Sequence, residues 1–158
     1  SWAGVLRWGG LYLLLTDLCP MILLAVLARR GRVINLGHAR RRERLRPLLI
    51  SLACLSTTVV LYQCVEAPLL LRRLAWVQLV QVVLMTAVTP AWQISFHGAA
   101  AGALVTTALL FHGAGAWPLL GLPPIVGWSQ VERGRHTVAQ VAAGIALSVV
   151  LYGLGFGL

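Results

Sequence analysis

Apolar residues run along the chain in six stretches, at about 9–28, 47–65, 74–91, 97–111, 117–131 and 137–156, with short polar connections between them. Each is close to the ~20 residues that an α-helix needs to cross a ~30 Å hydrocarbon core. The runs are continuous. They lack the in-out alternation that a membrane barrel requires, and backbone groups in lipid have no other way to be satisfied than helix or barrel. The pattern predicts an all-α fold, an integral membrane bundle of six transmembrane helices forming a single domain over 1–158. The first run is long enough to span, so it reads as a helix and not as a cleaved signal peptide.

Composition agrees, because 59% of residues are hydrophobic and 11% charged, whereas soluble domains are about a quarter charged. The formal net charge is +9 and all 13 basic residues are arginine. Alternating spans put ten of them on one face, with Arg7, Arg72 and Arg73 on the other. The positive-inside rule then makes the arginine-rich face cytoplasmic, in a prokaryotic inner or plasma membrane. Leaving out Arg46, Arg133 and Arg135 as candidate ligand groups still leaves seven against three. The basic loop "RRGRVINLGHARRRERLRP" is pinned between two spans, where it meets the bilayer and its anionic head groups, not nucleic acid.

Few other polar groups interrupt the spans. Cys19, Cys54 and Cys64 lack metal-ligand spacing and read as small buried hydrophobes. Asp17 lies mid-span, three residues before Pro20, where a carboxylate costs about 3 kcal/mol and calls for a partner or a role. Glu43, Glu66 and Glu132 are scattered and build no divalent-metal cage with it, so no metal or cofactor is expected. His112, in "FHGAGAW", falls on the face opposite the arginines and reads as a loop residue.

Spans two, four and six all start on the arginine-rich face. Their entries hold Arg46-Pro47, Ser95 with His97, and His136. A helix start offers unpaired N–H groups and a positive dipole end, which together favour an anion and above all phosphate. Pro47 suits a first turn, where its missing N–H costs nothing.

These entries resemble the three motifs of the type 2 phosphatidic acid phosphatase superfamily. "SQVERGRHTVAQVAAG" is similar to the third motif through Ser129, Gly134, His136 and Gly144; "ISFH" to the second through Ser95 and His97; and "ARRRERLRP" to the first through Arg46 and Pro47. The likeness covers about 39–148, in the family's order. Departures are Ala39 for the motif-one lysine, with Arg40 beside it as a substitute, Ile94 and Phe96 for proline and glycine, Gln130 for arginine, and Gln140 for aspartate.

The resemblance implies metal-independent hydrolysis of a phosphorylated membrane lipid, or of a polyprenyl diphosphate, through a phosphohistidine. His136 would be the nucleophile and His97 the acid. Arg46, Arg40, Ser95, Ser129, Gln130, Arg133 and Arg135 would hold phosphoryl oxygens. Gln140, four residues after His136, shares its helical face and can orient the ring, but it cannot stabilise an imidazolium as a carboxylate would. Slow catalysis, or a non-catalytic pocket for phosphorylated lipid head groups, are the two readings this leaves open.

Overall fold

The computed structural model describes residues 2–30 and 45–157. Their regular structure is helical throughout, and five helical runs are long and apolar enough to cross a membrane: Leu6–Arg29, Leu45–Cys64, Leu69–Val88, Phe96–Glu132 and Val138–Phe156. The chain forms two compact units, Ser1–Pro90 and Ala91–Leu158.

In the first unit, α1 (Trp2–Leu13) passes through a π-helical turn (Leu14–Leu18) into α2 (Cys19–Arg29), then come α3 (Leu45–Cys64) and α4 (Leu69–Val88). The π turn has a local cause. Pro20, in the first turn of α2, has no N–H to return to the carbonyl four residues back, and its ring crowds that carbonyl, so the preceding turn widens. Asp17 sits on this turn with its side chain exposed, and its Oδ2 accepts from the Thr16 hydroxyl at 2.8 Å. The same hydroxyl lies 2.9 Å from the Tyr12 carbonyl, and its one proton serves only one of the two acceptors at a time.

Polar side chains tie these helices together where lipid offers no hydrophobic drive for association. The Tyr12 hydroxyl donates to Gln78 Oε1, joining α1 to α4. Tyr62, fully buried, donates to the Trp8 carbonyl at 2.7 Å and takes the Trp8 ring edge-on. Cys19 and Cys54 are half-buried and face each other between α2 and α3, while Cys64 is exposed.

The helix over 69–88 starts five residues earlier than hydropathy alone predicts, because Pro68, extended at ψ 135°, fixes the first turn. Arg72 and Arg73 therefore lie inside the helix. Arg72 Nη1 reaches back to Gln63 Oε1 at 3.3 Å.

The second unit is α5 (Phe96–His112), a 3-10 segment (Gly113–Gly121), α6 (Leu122–Glu132) and α7 (Val138–Phe156). Its spine is the contact of α5 with α7, made by residues too small to keep backbones apart. A Cβ on Gly98 would meet the Val141 carbonyl oxygen at 3.0 Å, and one on Gly102 the Ile145 oxygen at 3.0 Å. Ser148, fully buried, donates to the Ala99 carbonyl at 2.6 Å. Early residues of α5 meet early residues of α7 and later ones meet later ones, so the two helices run parallel and start side by side. Small residues at four-residue spacing permit this approach, and the interhelical hydrogen bond holds it.

Candidate anion site at two helix starts

The site is built from the turn that joins α6 to α7. Gly134 takes the left-handed conformation at φ +62°, its N–H donates to the Val131 carbonyl at 2.9 Å, and that of Arg135 to the Gln130 carbonyl at 3.1 Å. This is a Schellman closure of α6, and it needs glycine at the left-handed position. His136 N–H shares the Gln130 carbonyl at 3.4 Å. The next helix opens at once on Thr137, whose Oγ1 accepts from Gln140 N–H at 3.3 Å, while Gln140 Oε1 accepts from Thr137 N–H at 3.0 Å. Thr137 and Gln140 thus form a capping box.

Gln140 Oε1 is also 3.3 Å from His136 Nδ1. Because this oxygen already accepts from a backbone N–H, the amide cannot be turned round, and the ring nitrogen facing it has to be the donor. His136 is held with its proton on Nδ1, which leaves the lone pair of the neutral ring on Nε2.

Ser95 opens α5. It is fully buried, its Oγ accepts from Gly98 N–H at 3.2 Å, and its own N–H donates to the Gln140 carbonyl at 3.0 Å. Two helix starts are stapled together by that last bond. The N–H groups of the first two residues of each helix, Phe96 and His97 in α5 and Val138 and Ala139 in α7, have no acceptor within their own helices, as at any α-helix start. His97 is the second residue of α5 and is exposed.

Of the sequence-predicted residues, Ser95, His136 and Gln140 are joined here by hydrogen bonds, and His97 follows two residues after Ser95 in the first turn of α5. Gln130 lies beside them in the last turn of α6, 5% exposed, with Oε1 buried and making no hydrogen bond. Ser129, half-buried, precedes it, and Arg133 and Arg135 are exposed in the turn. Arg46 is exposed in the first turn of α3, in the other unit. Arg40 lies outside the described residues.

No family model, curated relative or solved structure matches the chain.

Thr137 is the participant that the motif reading passed over. Its signal was nonetheless legible, since Thr-x-x-Gln ahead of an apolar run is a capping box in sequence. The box also explains glutamine at position 140 on structural grounds alone: its amide oxygen serves a backbone N–H and a histidine at once.

Proposed function

We propose that this membrane protein is a lipid-phosphate phosphatase, acting on a phosphorylated lipid or polyprenyl diphosphate drawn from the bilayer. The observation that carries the reading is the pair of stapled helix starts with a histidine at each. A helix start offers N–H groups and a positive dipole end to a phosphoryl group, and His136, with its proton on Nδ1, would attack through Nε2.

In this mechanism His136 Nε2 attacks phosphorus as the bond to the lipid oxygen breaks, and His97, as imidazolium, gives its proton to that oxygen. Water, giving a proton to the now neutral His97, then attacks the phosphohistidine; the N–P bond breaks, phosphate leaves and His136 returns to the neutral ring. Gln130, Ser129, Ser95, Arg133 and Arg135 supply donors for the equatorial oxygens. Charge gathers on His136 as the phosphohistidine forms, and the amide of Gln140 can orient but not neutralise it. In the serine-protease triad the change from aspartate to an amide lowers the rate by about 10⁴. That same amide favours a second reading, a pocket that holds a phosphorylated head group without turning it over.

We assign six passes to the chain, with the turn at 133–137 on the cytoplasmic face. Phe96–Glu132 counts twice because α6 packs back on α5. The arginine-rich face of a prokaryotic inner or plasma membrane would then hold the site.

The deciding measurement is phosphate release from a panel of lipid phosphates by the wild type, His136→Ala and His97→Ala, with vanadate binding measured in parallel. Turnover lost in both variants supports the phosphatase. Vanadate binding without turnover selects the head-group pocket. If vanadate binds wild type and His136→Ala alike, or not at all, the site is elsewhere.

A further inference from the structure

The thiols that meet between α2 and α3 take no part in the reading above. Cys19 Sγ and Cys54 Sγ are 4.0 Å apart, both half-buried, on helices that pack directly against each other. A disulfide holds its sulfurs at about 2.05 Å, so closure asks for about 2 Å of approach. Rotation of a cysteine side chain between staggered positions moves its sulfur by at least that much. The third thiol, Cys64, is exposed and ten residues further along the same helix, out of reach of both.

Depth selects the oxidant. Cys19 is ten residues before the end of α2 and Cys54 nine after the start of α3, which at 1.5 Å per residue is about 14–15 Å from each helix end, near the middle of the core. A charged oxidant is excluded there by its desolvation cost, whereas a quinone dissolves in the bilayer. We propose that Cys19 and Cys54 are a redox-modification site, converted by a membrane-soluble quinone to an intramolecular disulfide. Both S–H bonds break and one S–S bond forms. The two electrons and two protons pass to the quinone, which leaves as the quinol. The product locks the first span to the second and removes chain entropy from the unfolded state.

The test uses the full chain carrying Cys64→Ser, in lipid vesicles, treated with a fully ring-substituted benzoquinone that cannot add to thiols. The expected result is an intact mass lower by two hydrogens, no maleimide-reactive thiol after denaturation, a higher unfolding temperature, and return of both thiols with dithiothreitol. The variant carrying Cys19→Ser as well as Cys64→Ser keeps its mass and its single thiol. Two thiols still titratable after treatment, a crosslink between two chains, or loss of mass in the double variant would overturn the assignment. None of these readouts depends on phosphatase activity.

Discussion

The backbone N–H of Ser95 donates to the carbonyl of Gln140 at 3.0 Å, joining the residue that caps α5 to the first turn of α7. Gln140 therefore does three things at one helix start. Its carbonyl receives the neighbouring helix, and its side-chain oxygen receives Thr137 N–H and faces His136 Nδ1. Packing, capping and the orientation of a candidate nucleophile share one residue, so a perturbation of any of them is felt at the site.

The seam beneath that bond is testable at Gly144. A Cβ there would overlap the Ser95 carbonyl oxygen and lie 3.0 Å from Ala99 N, both backbone atoms that cannot rotate away. Gly144→Ala is expected to cost about 1–3 kcal/mol, the usual penalty for overpacking, and to lower vanadate affinity because the two helix starts separate. Gly121→Ala is the control. It meets nothing within 4 Å and sits at φ −70°, so its unfolding temperature in detergent should match wild type or exceed it slightly. Equal stability of Gly144→Ala and wild type would rule out the close seam.

At position 140 the capping box changes which substitution is informative. Aspartate, one methylene shorter, reaches Thr137 N–H and His136 Nδ1 less well. Glutamate keeps the reach, is equally suited to the third helical position, and brings a negative charge to a helix start, where it is stabilising. If His136 is the nucleophile, Gln140→Glu should raise phosphate release by about tenfold or more, though by far less than the ~10⁴ separating amide from carboxylate in the protease triad. Gln140→Ala should lower both rate and stability, the latter by about 1 kcal/mol through loss of the cap. A Gln140→Glu protein that is folded and no faster than wild type would favour the head-group pocket.

In the first unit the bond from Tyr12 to Gln78 predicts coupled losses. Tyr12→Phe should destabilise by about 0.5–1.5 kcal/mol, nearer the lower figure because the partly unfolded chain in a membrane finds other partners for the amide. Tyr12→Phe combined with Gln78→Leu should cost less than the sum of the two, since each alone strands a polar group. Additive losses in a double-mutant cycle, read by unfolding in detergent, would mean that the pair does not interact.

Much of this was legible in the residues, for reasons that differ from place to place. Continuous hydropathy marks helices because lipid leaves the backbone no alternative, and a serine just ahead of an apolar run, as at position 95, is a favoured N-cap residue. Hydropathy misplaced the start of α4, where Pro68 and not apolarity decides the first hydrogen bond. It also gave no sign that the stretch 117–131 begins in a 3-10 segment, Gly113–Gly121, before α6 starts at Leu122 with Pro123 in its first turn. At the two helix starts, the sequence placed His97 and His136 where the structure has them, but the motif reading gave Gln140 a purely chemical role. The backbone partner that shares its oxygen depends on the turn at Gly134, which spacing alone does not convey. The pairing of Cys19 with Cys54 was illegible too, because it depends on how α2 faces α3.

The last prediction concerns the 37-residue run Phe96–Glu132. A straight helix of that length would be about 55 Å long, well beyond the ~30 Å core, and could not bring its two ends together. Here α6 packs against α5, and Gly113 takes φ +55°, a conformation that lets the chain reverse after His112. Two passes follow if the reversal lies at the membrane surface, with residues near 113 and 133 on opposite sides. Gly115 is exposed with nothing within 4 Å, so a cysteine fits there, and Arg133 is exposed at the other turn. In a background with Cys19, Cys54 and Cys64 replaced by serine, Gly115→Cys should react with an impermeant maleimide in intact cells, and Arg133→Cys only after permeabilisation. The reverse pattern would put the arginine-rich face outside. Labelling of both from one side would make 96–132 a re-entrant hairpin and reduce the passes to four, leaving the helix starts that carry His97 and His136 side by side and the arginines on the same faces as before.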